Sequence, residues 1–388
     1  MKNLFPYFKN NNQNIYLDSA ASTQILDKSL EKINNIYLNH YSNIHRGLCD
    51  NAEYTTLQYE ESRVNIANFI GANYKEIIFT KGTTEGINLL ANHYKNVLKP
   101  GDIILLTKME HHSNILPWIE LVKYGIEIKY IDVNSNGILD LEDFKLKYNN
   151  KVKLISICYI SNVTGIINPI DYIINSINHE NTDVIIDAAQ AISNIEIDVK
   201  KIKCDYLVFS AHKSYGPNGV GILYASKDKI EKLSLYQTGG DTVDNVSFNN
   251  INYLEAPYRF EAGTPNITGI IAFNESINFL KNNKIDYNYI NKLENYLIDN
   301  EFNILGIGFK RAPIISISTE KYNINDLAYY LSIKNVCFRF GTHCATPFVK
   351  EVLKLNGTIR FSFGAYNDID DIDKLIDIIN KFKEKKNG

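Results

Sequence analysis

The feature that most constrains this chain is a series of short runs rich in Val, Ile and Leu, separated by longer stretches with helical character. Glu76–Thr80 (EIIFT), Asp102–Thr107 (DIILLT), Ile126–Val133, Lys153–Tyr159, Asp183–Asp187 (DVIID), Asp205–Ser210 (DYLVFS) and Val220–Tyr224 read as strands. A strand that is apolar at nearly every position is buried on both faces. An open, mostly parallel sheet achieves this by carrying helices on each side. The expected fold class is therefore α/β with a mostly parallel sheet, and its ligand crevice lies at the carboxyl ends of the strands. After Thr264-Pro265 the pattern changes. A helical stretch spans Gly269–Asp299, then come Pro313–Ser318, a helix at Ile324–Ile333, Val336–Arg339 and an amphipathic helix Asp368–Lys383. We expect a large domain at 16–264 and a smaller α+β domain made of 1–15 and 265–388.

Several function classes are disfavoured at once. Formal net charge is -3, from 41 Lys+Arg against 44 Asp+Glu, so there is no electrostatic footprint for nucleic acid or an anionic membrane. No apolar run approaches the ~18 residues of a membrane span, and the N-terminus MKNLFPYFKNNNQN has no secretory apolar core. The cytoplasm is the expected compartment. Cysteines stand at 49, 158, 204, 337 and 344, with no CxxC among them, so neither a disulfide framework nor a metal site is expected. GxGxxG, the P-loop and HExxH are all absent.

What remains is a set of polar residues at strand ends. Lys213, in FSAHKSYGPNGVG, follows a strand; it fits a solvated loop lysine or a Schiff-base lysine with a depressed pKa. Asp187, in IIDAAQA, ends another strand. It fits a structural cap, a metal ligand, or the partner of a protonated pyridine nitrogen, with Gln190 beside it for a ring hydroxyl. Gly82-Thr83-Thr84-Glu85 opens a helix, where free N–H groups and the helix dipole favour a phosphate. In Glu110-His111-His112-Ser113-Asn114 the acid and histidines are badly spaced for zinc, whereas a flat imidazole stacked on a ring fits. Cys344 lies in VCFRFGTHCATP, where Arg339 and His343 would raise its thiolate fraction. Arg360 is a candidate fork for a carboxylate.

In this order along the chain, these segments resemble the SufS-type cysteine desulfurases, pyridoxal-phosphate enzymes of the class V aminotransferase group. The resemblance runs from YLDSAAS (Tyr16–Ser22) to AYND (Ala365–Asp368). It includes HRG (His45–Gly47), TKGTTEGINL, MEHHSNILPW, SNVTG, DAAQA, SAHKSYGPNGVGILY, RFEAGTPN and RFGTHCATP. It implies the type I fold of pyridoxal-phosphate transferases, with the cofactor in the large domain and the nucleophile loop in the small one. It implies that Lys213 holds the cofactor, Asp187 and Gln190 contact its ring, His111 stacks on it, and Thr83, Thr84, Ser210 and His212 hold its phosphate. Thr264 would reach the cofactor of the neighbouring subunit in a homodimer. Asn162 and Arg360 would bind the substrate carboxylate, with His45, Arg46 and Arg339 close to the substrate. Cys344 would take sulfur from L-cysteine, releasing L-alanine, and pass it to a SufE- or SufU-like acceptor for iron–sulfur cluster assembly. The chain departs from the family's usual R-[TS]-G-H-H-C at Phe340 and at Thr342, which replaces a histidine. Alternatives are a selenocysteine lyase, a class V transaminase, or a catalytically silent sulfur carrier or assembly subunit.

Overall fold

The computed structural model describes residues 1–283 and 286–387. The apolar runs become strands β1 (Ile77–Thr80), β2 (Ile103–Thr107), β3 (Glu127–Ile131), β4 (Val152–Cys158), β5 (Asp183–Asp187), β6 (Tyr206–Ser210) and β7 (Gly221–Ala225). They form one seven-stranded sheet in the order β1-β7-β6-β5-β4-β2-β3. Only β7 runs against its neighbours, so the other six strands end on the same side. β2, β5, β6 and β7 are buried at almost every position, as their composition requires. One face packs on Tyr94, Trp118 and Phe260, the other on Tyr59, Ile160 and Phe273.

A second, antiparallel sheet contains β8 (Asn303–Ile304), β9 (Ile314–Ser318), β10 (Arg339–Gly341) and β11 (Thr358–Ser362), in the order β8-β9-β11-β10. It has its own core around Leu293, Leu327, Phe361 and Leu375. A cluster of Phe5, Phe8, Leu26, Tyr215, Phe279 and Tyr366 joins this body to the first.

Three sequence expectations change. The helical stretch 269–299 is two helices, Ile267–Asn282 and Ile290–Asp299; residues 284 and 285 lie outside the described residues. The first of these helices buries Ile267, Ile270, Ile271, Phe273 and Ile277 in the core of the large sheet. Packing therefore carries the large body past the expected boundary at 264. The run 336–339 also divides. Val336–Cys337 pairs with Ile15–Tyr16, whereas Arg339 begins β10 and faces Arg360. Among the described residues no helix is long and apolar enough to cross a membrane, and no cluster of metal-ligating side chains forms.

Candidate active site

Four of the parallel strands, β2, β4, β5 and β6, deliver polar groups to the same end of the sheet. Asp187 is the last residue of β5, Cys158 the last of β4, and Ser210 the last of β6. Lys213 closes the short turn Ala211–Lys213 directly after Ser210. His111 follows β2 and caps the turn His112–Asn114. These groups surround a cavity of about 270 Å³, which Arg339, His343, Cys344 and Arg360 complete from the second body.

One end of the cavity is built for an anion. Helix Thr83–Val97 begins there, and the Thr83 N–H donates to Ser210 Oγ at 2.8 Å. The Thr83 and Ser210 hydroxyls lie 2.8 Å apart, and Thr84 Oγ1 meets Ser113 Oγ at 2.7 Å. Helix-end N–H groups and convergent hydroxyls are what a phosphate needs. The backbone is tight: a Cβ on Gly221 would lie 2.3 Å from Gly82 Cα, so only glycine lets β7 pass this turn.

The remaining walls carry shifted groups. Protein packed around Lys213 pushes its amine pKa down, partly offset by Asp187. Burial pushes the Asp187 carboxyl up, while the Ala189 N–H at 2.9 Å and the Lys213 charge pull it back. A cation brought against Asp187 would offset that burial further. His111 is held neutral, its pKa lowered to about 3 by burial and then by Lys213. Its Nδ1 accepts from the Ser113 N–H at 3.1 Å, which leaves the proton on Nε2 and fixes the ring. His212 is lowered to about 4, chiefly by burial.

On the opposite wall Asp18 joins two guanidinium groups. Its Oδ2 accepts from Arg339 Nη2 at 2.8 Å and its Oδ1 from Arg360 Nη2 at 3.3 Å. Arg360 Nη1 donates to Asn162 O at 2.9 Å, and its buried Nε has no partner among the described residues. Asn162 lines the cavity, but its amide N–H donates to His343 O at 2.7 Å. Cys344 is exposed at the cavity mouth, between buried His343 and buried Ala345.

Thus all but three of the expected site residues line one cavity. His45, Arg46 and Thr264 do not. His45 is tied to helix Asp50–Phe69, its Nε2 lying 2.9 Å from Glu60 and its N–H donating to Thr56 Oγ1. Arg46 reaches Asp241 at 3.6 Å. Both line a separate hollow of about 460 Å³ with Gly263 and Pro265, and Thr264 between these two is exposed. Within one chain, His45 and Arg46 are therefore not beside the cavity. A second correction concerns His343. Burial and the two arginines hold its pKa near 3, so it is neutral and brings no positive charge to Cys344. Thr342, at the departure from the family pattern, bonds Thr346 across the loop, their hydroxyls 2.9 Å apart.

Asp18 and Glu110 escaped assignment from sequence, although both sit inside quoted motifs. Glu110 is fully buried and accepts from Thr107 Oγ1, Asn114 Nδ2 and the Cys158 N–H. Its carboxyl is raised to about 7, chiefly by burial. Two of these donors are local, Thr107 three residues before Glu110 and Asn114 four after, and only the Cys158 N–H arrives from another strand.

The chain also resembles known proteins along its length. The family profile described as aminotransferase class-V matches residues 15–375. A probable cysteine desulfurase of Halalkalibacterium halodurans is 36% identical over 99% of this chain and 97% of its own. A cysteine desulfurase of Wigglesworthia glossinidia brevipalpis is 38% identical over 97% of this chain and 94% of its own. Among solved structures, the apo cysteine desulfurase of Thermococcus onnurineus superposes with a TM-score of 0.93 at 32% identity, covering 98% of this chain and 96% of the other.

Proposed function

We infer, from the premise that this chain belongs to the aminotransferase class-V family, that it is a cysteine desulfurase dependent on pyridoxal phosphate. The observation that carries this reading is one cavity shared by Lys213, Asp187, the Thr83–Ser210 anion site and Cys344. The residues suit the cofactor. The helix start offers phosphate donors, Asp187 keeps one carboxylate oxygen without a hydrogen-bond donor among the described residues, and His111 presents a neutral ring. When bound, pyridoxal phosphate supplies an electron sink for negative charge developing on the substrate carbon.

Lys213 would anchor the cofactor and afterwards move protons at the substrate Cα; its lowered pKa keeps more of the amine as free base. Arg360, which lines the cavity, offers the substrate carboxylate its guanidinium. Gln190 spends one amide N–H on Ala20 O at 2.7 Å and keeps the other for the ring oxygen. Cys344 Sγ accepts the sulfur of L-cysteine as a persulfide, and L-alanine leaves. An acceptor resembling SufE or SufU then takes the sulfur, for iron–sulfur cluster assembly. In a homodimer, Thr264, His45 and Arg46 would serve the neighbouring subunit's cavity, which accounts for their shared hollow.

The test is alanine release from L-cysteine by the purified protein beside Cys344→Ala, with a reductant present. Alanine from the native chain alone supports the persulfide route. Equal alanine from both would remove Cys344 from it and favour a selenocysteine lyase. Alanine from neither would leave the silent-carrier reading.

A further inference from the structure

The segment that carries Cys344 is strained and is fixed from outside. Gly341, His343 and Cys344 have φ of 120°, 54° and 56°. Two consecutive non-glycine residues in the left-handed region persist only where surroundings over-determine them. Their carbonyls show what does so. Asn162 Nδ2 donates to His343 O at 2.7 Å, and the His112 N–H donates to Cys344 O at 2.8 Å. Both donors belong to the large body. His112 grips the loop a second time, its ring Nε2 accepting from the Thr346 N–H at 3.1 Å. The two contacts of His112 therefore bracket Ala345, directly after Cys344, while those of Asn162 and His112 hold the carbonyls on either side of the Cys344 Cα.

We propose that His112 is the positioning residue for Cys344: it holds the nucleophile loop at two points and so aims Sγ into the cavity. The geometry sets its chemical requirements. To accept from Thr346, Nε2 must carry a lone pair, so the proton sits on Nδ1. Glutamine places a carbonyl oxygen the same number of bonds from Cα and can accept the same N–H. Leucine fills similar space and accepts nothing. Asparagine is one bond too short. The neighbouring His111 faces the ring side of the cavity and the Ser113 N–H, so the two histidines divide the work: one for the ring, one for the loop.

This proposal rests on the reading of Cys344 as sulfur acceptor, and two measurements separate the two ideas. Hydrogen–deuterium exchange on the full-length protein as purified reads the clamp directly. In His112→Leu, peptides spanning 343–348 should exchange about tenfold faster or more, with the strands of the large sheet unchanged; His112→Gln should keep the native rates. Single-turnover mixing with L-cysteine reads the consequence. Persulfide on Cys344 should form about tenfold more slowly in His112→Leu, while the absorbance change of the bound cofactor keeps its rate. Native exchange in His112→Leu, equal loss in the leucine and glutamine variants, or slowing of both kinetic steps together would overturn the proposal. If His112→Leu does not fold, His112→Asn replaces it in the same comparison. Failure of the desulfurase reading appears separately, as absence of persulfide in the native protein.

Discussion

The two halves of the cavity are made differently. The sheet half holds Asp187, Ser210 and Lys213 at the ends of regular, buried strands, where neighbouring strands fix each position. The other half is a short loop with two left-handed residues, which leaves the second sheet at Gly341 and enters the core of the large body at Ala345. The first is a rigid template and the second a docked attachment. Damage to the template should abolish chemistry outright, whereas damage around the loop should grade it.

The largest effect expected is at Lys213. If Lys213 is the anchor and proton carrier proposed above, Lys213→Ala should lower alanine release by about a thousandfold or more. A residual rate within tenfold of native would break the comparison at its root. Cys344→Ala comes next. It should lose sulfur transfer from L-cysteine while retaining cofactor absorbance and its shift on adding the amino acid, since the template is untouched. Loss of cofactor absorbance in that variant would show that the halves are not separable.

Asp18→Ala should act more gently. Asp18 holds Arg339 and Arg360 together, and a charge-assisted contact of this kind contributes about 1.5–3 kcal/mol. We expect the KM for cysteine to rise by about tenfold, with a smaller change in kcat; steady-state kinetics would show the reverse pattern if Asp18 served only the loop.

The smallest effect concerns stability. His111 and His343 have folded pKa values near 3 and His212 near 4, all below the ordinary 6.5. Between those limits the unfolded chain binds more protons, so stability falls as pH drops from about 6.5 toward 4. His343→Gln should lessen that slope by at most about 1.4 kcal/mol per pH unit. Denaturation curves at pH 7, 6 and 5 would check this, and an unchanged slope would place the acid sensitivity elsewhere.

The same division explains what could be read from sequence. Asp187, Ser210 and Lys213 were legible because an apolar run announces its own end, and the end of a parallel strand is a site. Strand limits then moved by a residue or two, as at β4, expected over 153–159 and found at Val152–Cys158. The loop half was legible as a cluster of Arg339, His343, Cys344 and Arg360, but not in its arrangement. His343 looks cationic in sequence and is neutral in place, because burial and the two nearby arginines all disfavour its charge. Asp18 lies more than 300 residues from both arginines it joins. His45 and Arg46 belong to a recognisable motif, yet packing places them at another hollow, with Thr264 exposed between two of its lining residues. No local pattern encodes such long-range juxtapositions.

The rooting of the nucleophile loop has a consequence for delivery. Ala345 is fully buried, and Phe348 and Val349 beyond it are embedded in the core of the large body. Consecutive Cα atoms are about 3.8 Å apart, so Cys344 is tethered within one residue of an immobile point. Even with every clamp released, its sulfur swings through a few ångströms and no further. The enzyme is thus a fixed loading dock rather than a swinging arm. A protein that took sulfur from Cys344 would therefore have to bring its own acceptor group to the cavity mouth.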